Sequence, residues 1–165
     1  MLAYLAGQKF SILFISLSLS SQNLVDCSWG FGNNGCDGGE DFRAYDWIMK
    51  HGGIESEETY GPYLQADGYC HFNNETASVQ LTGYVNVTPY NVLALKTALV
   101  NEGPISIGID AAHKSLVFYA NGVYYEPECG NKPDDLDHAV LLVGYGTLDG
   151  QDYWLVKVKY NFSFK

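Results

Sequence analysis

The spacing of hydrophobic residues predicts a helix in the first half of the chain. Apolar side chains recur every three or four residues from Phe42 to Met49, and the Gly52-Gly53 pair ends this run. Such spacing places side chains on one face of a helix, and glycine is the residue that often follows a helix end. The pattern therefore predicts an amphipathic helix over residues 40–51.

A short helix and several strands are predicted in the second half. Residues 91–102 place apolar side chains on one face, and Gly103-Pro104 ends the run. From Ile105 to Ile109 large apolar residues alternate with small ones, which is the two-residue period of a strand. Further strands are predicted at residues 79–87, Val123–Tyr125, His138–Tyr145 and Tyr153–Val158. Helices followed by antiparallel strands indicate an α+β fold.

Two segments show neither period and are predicted to be loops. Residues 22–39 are rich in glycine and asparagine and carry Cys27 and Cys36, and residues 53–75 carry Cys70. Because such segments bury little apolar surface, disulfide bonds are expected to hold them.

The first twenty residues allow two interpretations. Lys9 is followed by an apolar run from Phe10 to Leu19, which resembles the charged and apolar regions of a signal peptide. The other interpretation is a helix end and connecting segment of a domain that starts further upstream. The run is too short and too rich in serine for a stable membrane span.

Charge and cysteine spacing narrow the function classes. The formal net charge is −10, whereas binding to nucleic acid or to an anionic membrane would need a basic surface. The four cysteines form no CxxC pair, which argues against a zinc site and favours disulfide bonds. N-x-S/T sequons begin at Asn74, Asn86 and Asn161, although Pro89 is expected to hinder use of the second. Disulfides and glycosylation together predict a lysosomal or extracellular location.

Six segments, taken in order, resemble one family. They are SSQNLVDCSWGFGNNGCDGG, YGPYLQADGYC, NEGPISIGIDA, GVYYEPECG, LDHAVLLVGYG and DYWLVK. Each resembles a segment of the papain-like (cathepsin L-like) cysteine peptidases, and together they run from about Gln22 to Lys157. The resemblance implies a papain-like two-lobe fold, incomplete here, with a helical left lobe and an antiparallel β-barrel-like right lobe around a cleft. The expected peptidase domain covers residues 22–158, between a divergent N-terminal segment, 1–21, and a divergent tail, 159–165.

The resemblance also implies a catalytic mechanism. In the family, a cysteine at a helix N-terminus attacks the substrate, a histidine acts as base and then acid, an asparagine orients the imidazole, and a glutamine supports the oxyanion. His138 matches the catalytic histidine; the alternative is an ordinary strand histidine. The family spacing puts the nucleophile roughly 130 or more residues before the histidine, and no cysteine precedes Cys27. The nucleophile and the glutamine are therefore expected to be absent from this chain.

The match at the other end also departs from the family. The orienting asparagine would follow DYWLVK, but Val158 occupies its position and Asn161 lies three residues later. A shift by an odd number of residues turns a strand side chain to the other face, so Asn161 is not expected to replace it. The closing strands of the right lobe are expected to be absent, which would leave an unpaired sheet edge.

The resemblance implies one disulfide bond. Cys27 is expected to pair with Cys70, whereas the family's partners for Cys36 and Cys129 are absent, so these two are expected to be unpaired. The string CSWGF at Cys27 is superficially similar to the family's nucleophile signature, but the residues on both sides match the family's disulfide loop instead.

Substrate-binding positions match the family better. Gly38 and Gly39 resemble the backbone shelf that hydrogen-bonds an extended peptide; the alternative is a plain turn. Glu40 and Asp41 replace residues that are commonly apolar, which suggests a tolerance for basic or polar substrate side chains, but acids are favoured at any helix start. The positions that line the family's main specificity pocket are Glu40, Asp41, Ala111, Leu136, Asp137 and Ala139.

The expected function is that of a cysteine-type endopeptidase that acts on peptide or protein substrates without a metal or cofactor. The family's nucleophile and glutamine at one end, and its asparagine and closing strands at the other, are expected to be absent, which suggests a truncated chain. Such a chain would be inactive alone and would depend on a missing segment or a second subunit of the same peptidase. The alternative is a non-catalytic papain-fold homologue that binds peptides or matrix partners.

Overall fold

The structure is a computed structural model that describes residues 3–6, 17–158 and 161–164, with side chains described for residues 17–158. The chain forms two compact units. We call Ala6–Tyr84 the helical unit, and Met1–Leu5 with Val85–Lys165 the sheet unit. Helices dominate the first and antiparallel strands the second, so the predicted α+β fold is confirmed.

Three helices lie in the described residues of the helical unit. They are α1 (Ser21–Cys27), α2 (Asp41–His51) and α3 (Glu57–Tyr60), with 3-10 turns at Ser28–Phe31, Gly35–Asp37 and Asn74–Thr76. Helix α2 confirms the predicted amphipathic helix and buries Ala44, Trp47 and Ile48. An apolar cluster is formed by Cys27, Trp47, Ile48, Ile54 and Tyr60.

Helices α1 and α3 lie in segments that were predicted to be loops, and this prediction was wrong. Each helix begins with a serine cap: the hydroxyl of Ser20 accepts a hydrogen bond from the N–H of Asn23, and that of Ser56 from the N–H of Thr59. The buried face of α1 is mainly polar, so hydrophobic spacing does not reveal it. Helix α3 has four residues, too few to show a period.

The polar face of α1 is fully hydrogen-bonded to its surroundings. Gln22, 1% exposed, donates to the carboxylate of Asp26 at 2.6 Å and to the carbonyl of Ala66 at 2.8 Å. Its amide oxygen accepts from the N–H of Leu64 at 2.8 Å. Buried polar groups with such partners stabilise a fold, whereas unpaired ones destabilise it. These bonds fix the loop between α3 and Cys70 onto α1.

The sheet unit combines a six-stranded sheet with two helices. The helices are α4 (Val92–Glu102) and α5 (Lys114–Val117), with a 3-10 turn at Pro133–Asp135. The strands are β1 (Ala3–Ala6), β2 (Tyr84–Asn86), β3 (Ile105–Ile109), β4 (His138–Leu148), β5 (Gln151–Lys157) and β6 (Asn161–Phe164). Their order is β2-β1-β3-β4-β5-β6, and the sheet is not closed. The pairs β1–β3, β3–β4, β4–β5 and β5–β6 are antiparallel.

The core of the sheet unit lies under the centre of the sheet. Ile105, Ile107, Leu142 and Val156 are 0% exposed, and α4 packs Leu95 and Leu99 into the same cluster. Alternate burial along β3 confirms the predicted strand. Helix α4 confirms the predicted helix, with Asn91 as its cap.

The remaining strand predictions were partly correct. Strand β4 runs on to Leu148 and β5 starts at Gln151, because they form one hairpin through Asp149 and Gly150. Of residues 79–87, only Tyr84–Asn86 is a strand, although Val79 bridges Ile54. Residues 123–125 form no strand; Tyr124 makes a single bridge.

The sheet stays open, as the expected unpaired edge requires, but β5 is not that edge, since the backbone of β6 pairs along it with Leu155 opposite Ser163. At the other end of the chain, most of the apolar run Phe10–Leu19 lies outside the described residues. Leu19 bridges Ser56 in the helical unit.

A disulfide bond joins Cys27 and Cys70, which are 43 residues apart, as expected. Cys36 and Cys129 are exposed free thiols. The disulfide connects Cys27, the last residue of α1, to Cys70, at the end of the loop that follows α3 and is hydrogen-bonded to Gln22.

Removing this disulfide with Cys27→Ala and Cys70→Ala should lower the free energy of unfolding by about 2–4 kcal/mol. The cross-link restricts the unfolded chain over 43 residues, and that restriction would be lost. Urea unfolding followed by circular dichroism measures the change. Cys36→Ala, at an exposed free thiol, is the matched control and should stay within about 0.5 kcal/mol of the parent. Equal losses in the two variants would contradict the assignment.

Candidate functional site

The predicted site residues form two groups, one in each unit. The helical unit holds Gly38, Gly39, Glu40 and Asp41 at the start of α2, and the sheet unit holds Ala111, Leu136, Asp137, His138 and Ala139 around the ends of β3 and β4.

His138 is the first residue of β4 and lies opposite Ile109, the last residue of β3. Alternation along the strand puts it on the same face as Val140 and Leu142, which are buried. His138 itself is exposed because it lies beyond the edge of the core. Its imidazole makes no hydrogen bond within the described part of the chain, so both ring nitrogens can contact a reacting group.

The backbone before His138 is held by Asp137. The N–H of Asp137 donates to the carbonyl of Ile109 at 3.1 Å, and its carboxylate accepts from the N–H of Ala111 at 2.7 Å. Leu136 packs against the backbone of Gly108 on β3. Ala139 pairs with Gly108 in the ladder. These contacts bring the five predicted residues of the sheet unit together at one end of the β3–β4 pair.

The carboxylate of Asp110, which the sequence analysis missed, holds the backbone of the same region through hydrogen bonds. One oxygen of Asp110 accepts from the N–H of Gly130 at 2.8 Å and lies 3.0 Å from Nε2 of His113; the other accepts from the N–H of Ala112 at 3.3 Å. The Gly130 hydrogen bond, followed by that of His113, lowers the pKa of Asp110. The Asp110 hydrogen bond in turn raises the pKa of His113. The available sequence signal was an acid directly after an alternating strand, three residues before a histidine.

The glycine pair of the helical unit forms a turn that other residues could not adopt. Gly38 has φ +104°, which is strained for residues with a side chain, and its carbonyl accepts from the N–H of Asn34 at 2.8 Å. A Cβ atom on Gly39 would collide with the side-chain amide of Asn33. Asn33 is buried, and its amide oxygen accepts from the N–H of Glu40 at 2.8 Å. Asn33 was also missed, because one asparagine in an asparagine-rich loop carries no distinct signal.

The turn leaves the backbone N–H and carbonyl of one residue free to bind a ligand. Neither the N–H nor the carbonyl of Gly39 has a hydrogen-bond partner among the residues that the structure describes. Both belong to an exposed residue. An extended peptide binds such groups as it would bind a sheet edge.

The two acids next to this turn differ in their surroundings. Glu40 is exposed and precedes α2 without capping it through its side chain. Asp41 is half-buried, and its carboxylate accepts from the N–H of Phe42 at 2.9 Å. Asp41 therefore takes part in starting the helix, whereas the carboxylate of Glu40 faces solvent.

None of the four cysteines is an activated nucleophile. Cys27 and Cys70 are joined in the disulfide. Desolvation, followed by a hydrogen bond with Asp67, raises the pKa of Cys36. Desolvation, followed by the charge of Asp110, raises the pKa of Cys129. A reactive cysteine has a lowered pKa, and these two thiols are shifted the other way.

The position where the resemblance predicts an orienting asparagine holds Val158, an apolar side chain. Val158 is half-buried and packs against the core of the sheet unit. Asn161 pairs with Lys157 through the backbone of β6, and its side chain is outside the described part. Val158 cannot hydrogen-bond an imidazole.

The other predicted sites are surface positions. Asn74 lies exposed in a 3-10 turn, and Asn86 is exposed on β2. Glycosylation at these two sequons is sterically possible and stays a prediction. Within residues 17–158, no three His, Cys, Asp or Glu side chains cluster closely enough to hold a metal ion. No helix of the described chain has the length and apolarity needed to cross a bilayer.

Comparisons with known proteins agree with this architecture. The family described as "Papain family cysteine protease" matches residues 5–164. A "Cathepsin L-like peptidase" of Aedes aegypti is 51% identical over 154 residues, which are 93% of this chain and 44% of that protein. "Cathepsin S" of Mus musculus is 46% identical over 151 residues, 90% of this chain and 43% of that protein. This chain thus spans less than half the length of these relatives.

Solved structures give the same result. The "Structure of digestive procathepsin L 3 of Tenebrio molitor larval midgut" matches with a TM-score of 0.82 and 37% sequence identity, covering 90% of this chain and 50% of that one. Digestive procathepsin L2 from the same tissue matches with a TM-score of 0.83 and 36% identity, covering 91% of this chain and 48% of that one. By sequence match and by fold, the chain belongs to the papain family of cysteine proteases.

Proposed function

We propose that the protein to which this chain belongs is a cysteine-type endopeptidase in which His138 is the general base and acid. The observation that supports this most directly is the exposed imidazole of His138 at the start of β4, on a backbone held by Asp137. The family membership of the chain gives this histidine its chemical context.

In the proposed reaction, His138 accepts the proton of a cysteine thiol, and the thiolate attacks the carbonyl carbon of a peptide bond. The imidazolium then protonates the departing amine as the carbon–nitrogen bond breaks, which leaves a thioester. Water, deprotonated by the same imidazole, hydrolyses the thioester and restores the thiol. The four cysteines of this chain are either disulfide-bonded or have a raised pKa, so we propose that a missing segment or second subunit of the same peptidase supplies the thiol.

The proposed substrate is an extended peptide or protein segment. The free N–H and carbonyl of Gly39 offer one donor and one acceptor, the pair that an extended backbone requires. The exposed carboxylate of Glu40 stands next to it and would attract a basic substrate side chain. We propose a lysosomal or extracellular location, supported by the disulfide bond and the exposed sequon at Asn74.

A chimera tests the catalytic assignment. The amino-terminal half of the Aedes aegypti relative, placed before this chain, should yield a protein that hydrolyses fluorogenic peptides. His138→Ala should lower kcat/KM of that chimera about 100- to 10,000-fold or more, since the base and acid are lost. His51→Gln, at an exposed histidine of α2, is the matched control and should keep most of the activity. A folded but inactive chimera, or an active His138→Ala variant, would overturn the proposal and favour a peptide-binding role.

The acids beside the glycine turn should influence substrate choice in the same chimera. Peptide libraries should show a tolerance for Arg or Lys in the pocket that these acids line, and Glu40→Leu with Asp41→Leu should shift kcat/KM toward Leu or Phe by about tenfold or more. Glu58→Leu, which removes an exposed acid from α3, is the control and should leave the profile unchanged. A strict preference for Leu or Phe in the parent would contradict this prediction.

The Asp110–His113 pair should make the stability of the chain depend on pH. The raised pKa of His113 means that its contribution is present below about pH 6.5 and is lost as the pH rises through the folded-state pKa. The lowered pKa of Asp110 means that its contribution is present above about pH 4 and is lost on further acidification. Urea midpoints across pH 3–8 should therefore show a contribution that is largest between about pH 4 and 6.5.

Two variants separate these contributions. His113→Gln should remove the loss of stability on the alkaline side and weaken the loss on the acidic side only in part, since Gly130 still donates to Asp110. Asp110→Asn should weaken the losses on both sides. If both variants show the same dependence of the urea midpoint on pH as the parent, the assigned role of the Asp110–His113 pair is wrong.

A further inference from the structure

A loop of the helical unit is closed at its base by a histidine. The loop runs from Gly61 to Cys70, and α1 holds its middle through Gln22 and through the carboxylate of Asp26, which accepts from the N–H of Gly68 at 2.9 Å. The residue after the loop, His71, contacts both of its ends.

The two contacts of His71 have an unusual chemical requirement. Nδ1 lies 3.0 Å from the carbonyl oxygen of Tyr69, and Nε2 lies 3.0 Å from the carbonyl oxygen of Tyr60. A carbonyl oxygen only accepts hydrogen bonds, so both ring nitrogens must carry a proton to satisfy this geometry. A neutral imidazole has one N–H and would turn a lone pair toward the other carbonyl. The arrangement therefore fits the imidazolium ion.

The groups that face His71 favour its positive charge. Its ring stacks on Tyr60 at 3.8 Å between centroids and 18° between planes, and the phenol of Tyr60 donates to Asp26 at 2.9 Å. The carbonyl of Tyr69, followed by that of Tyr60, raises the pKa of His71, and the carboxylates of Asp26 and Glu55 act in the same direction. Glu55 is 3% exposed, and one of its oxygens has no hydrogen-bond partner within the described residues.

The loop is also connected to the glycine turn. The carboxylate of Asp67, within the loop, accepts a hydrogen bond from the N–H of Cys36 at 2.7 Å. Cys36 belongs to the 3-10 turn whose last residue, Asp37, directly precedes Gly38. Any loosening of the loop therefore withdraws a hydrogen bond from the turn that presents Gly38 and Gly39.

We propose that His71 is a proton-operated clasp that closes the Gly61–Cys70 loop in acid and, through Asp67, orders the turn at Gly38 and Gly39. Protonation supplies the second N–H, so that the imidazolium donates to the carbonyls of both Tyr60 and Tyr69. Deprotonation removes one of these two bonds and loosens the loop, which Gln22, Asp26 and the disulfide still attach to α1. The clasp goes beyond the proposed proteolysis and does not depend on it, because every group involved belongs to the helical unit.

The protonation of His71 can be followed directly in the full chain. Long-range proton–nitrogen NMR spectra distinguish imidazolium from either neutral tautomer, and His71→Phe identifies the signal. The expected result is a doubly protonated ring whose titration midpoint lies above that of the same residue in 8 M urea. A midpoint at or below the unfolded value, or a neutral ring under acidic conditions where the unfolded residue is protonated, would overturn the clasp.

Amide exchange tests the connection to the loop and the turn. The protection factors of the N–H groups of Leu64, Gly68 and Cys36 should fall roughly 3- to 10-fold between pH 5.5 and 8.0 in the parent, which corresponds to losing one hydrogen bond. His71→Phe keeps an aromatic ring on Tyr60 without either N–H, so its protection should be low at both pH values. Tyr69→Phe, which leaves the Tyr69 carbonyl in place, is the matched control and should behave like the parent. Protection that is independent of pH in the parent, or an equal dependence in His71→Phe, would refute the coupling.

Discussion

The antiparallel pairing of β3 with β4 determines both the core of the sheet unit and the position of His138. The register sets Ile105 opposite Leu142 and Ile109 opposite His138. A slip by one residue would move Ile105 and Ile107, which are 0% exposed, out of the core, so burial specifies the register strongly. The same register ends the ladder at the pair of Ile109 and His138, so the exposed candidate base lies at the rim of the packed core.

The helical unit is organised by a different kind of interaction. Its first helix buries amide and carboxylate side chains, and these satisfy the backbone of a loop that has little apolar surface of its own. Buried networks of this kind stabilise a fold only when nearly every group has a partner. The disulfide strengthens the same contact between α1 and the loop. The conformation of the glycine turn then depends on Asn33 and Asp67, two side chains that hydrogen-bond its backbone.

Each unit contains a histidine whose hydrogen bonds favour the protonated form. His113 is held by a carboxylate and His71 by two carbonyl groups, yet the direction of the shift is the same. A chain with a net charge of −10 gains from positive charge at both places. Mild acid therefore strengthens the Asp110–His113 contact near His138 and, by our proposal, the contacts of His71 that hold the loop next to the glycine turn. This fits the proposed lysosomal location.

Local pattern and family resemblance determined much of this protein. The alternation of Ile105 to Ile109, the helical spacing after Phe42 and the glycine stop at Gly103 each predicted an element that the structure contains, because these signals depend only on nearby residues. The ordered segments identified the family and the pairing of Cys27 with Cys70.

What only the tertiary structure decided involves residues that are distant in the sequence. Helix α1 was missed because its buried face is mainly polar and is stabilised by partners some forty residues away. An acid three residues before a histidine is a local signal for Asp110, but its partner Gly130, like the Tyr60 carbonyl that His71 contacts, is placed by the folded chain. The pairing of β6 along β5 likewise follows from a ladder between backbones and not from the side chains of the tail. Hydrophobic spacing indicates which side chains are buried, and it depends only on nearby residues. Hydrogen-bond partners that are distant in the sequence are brought together only when the chain folds.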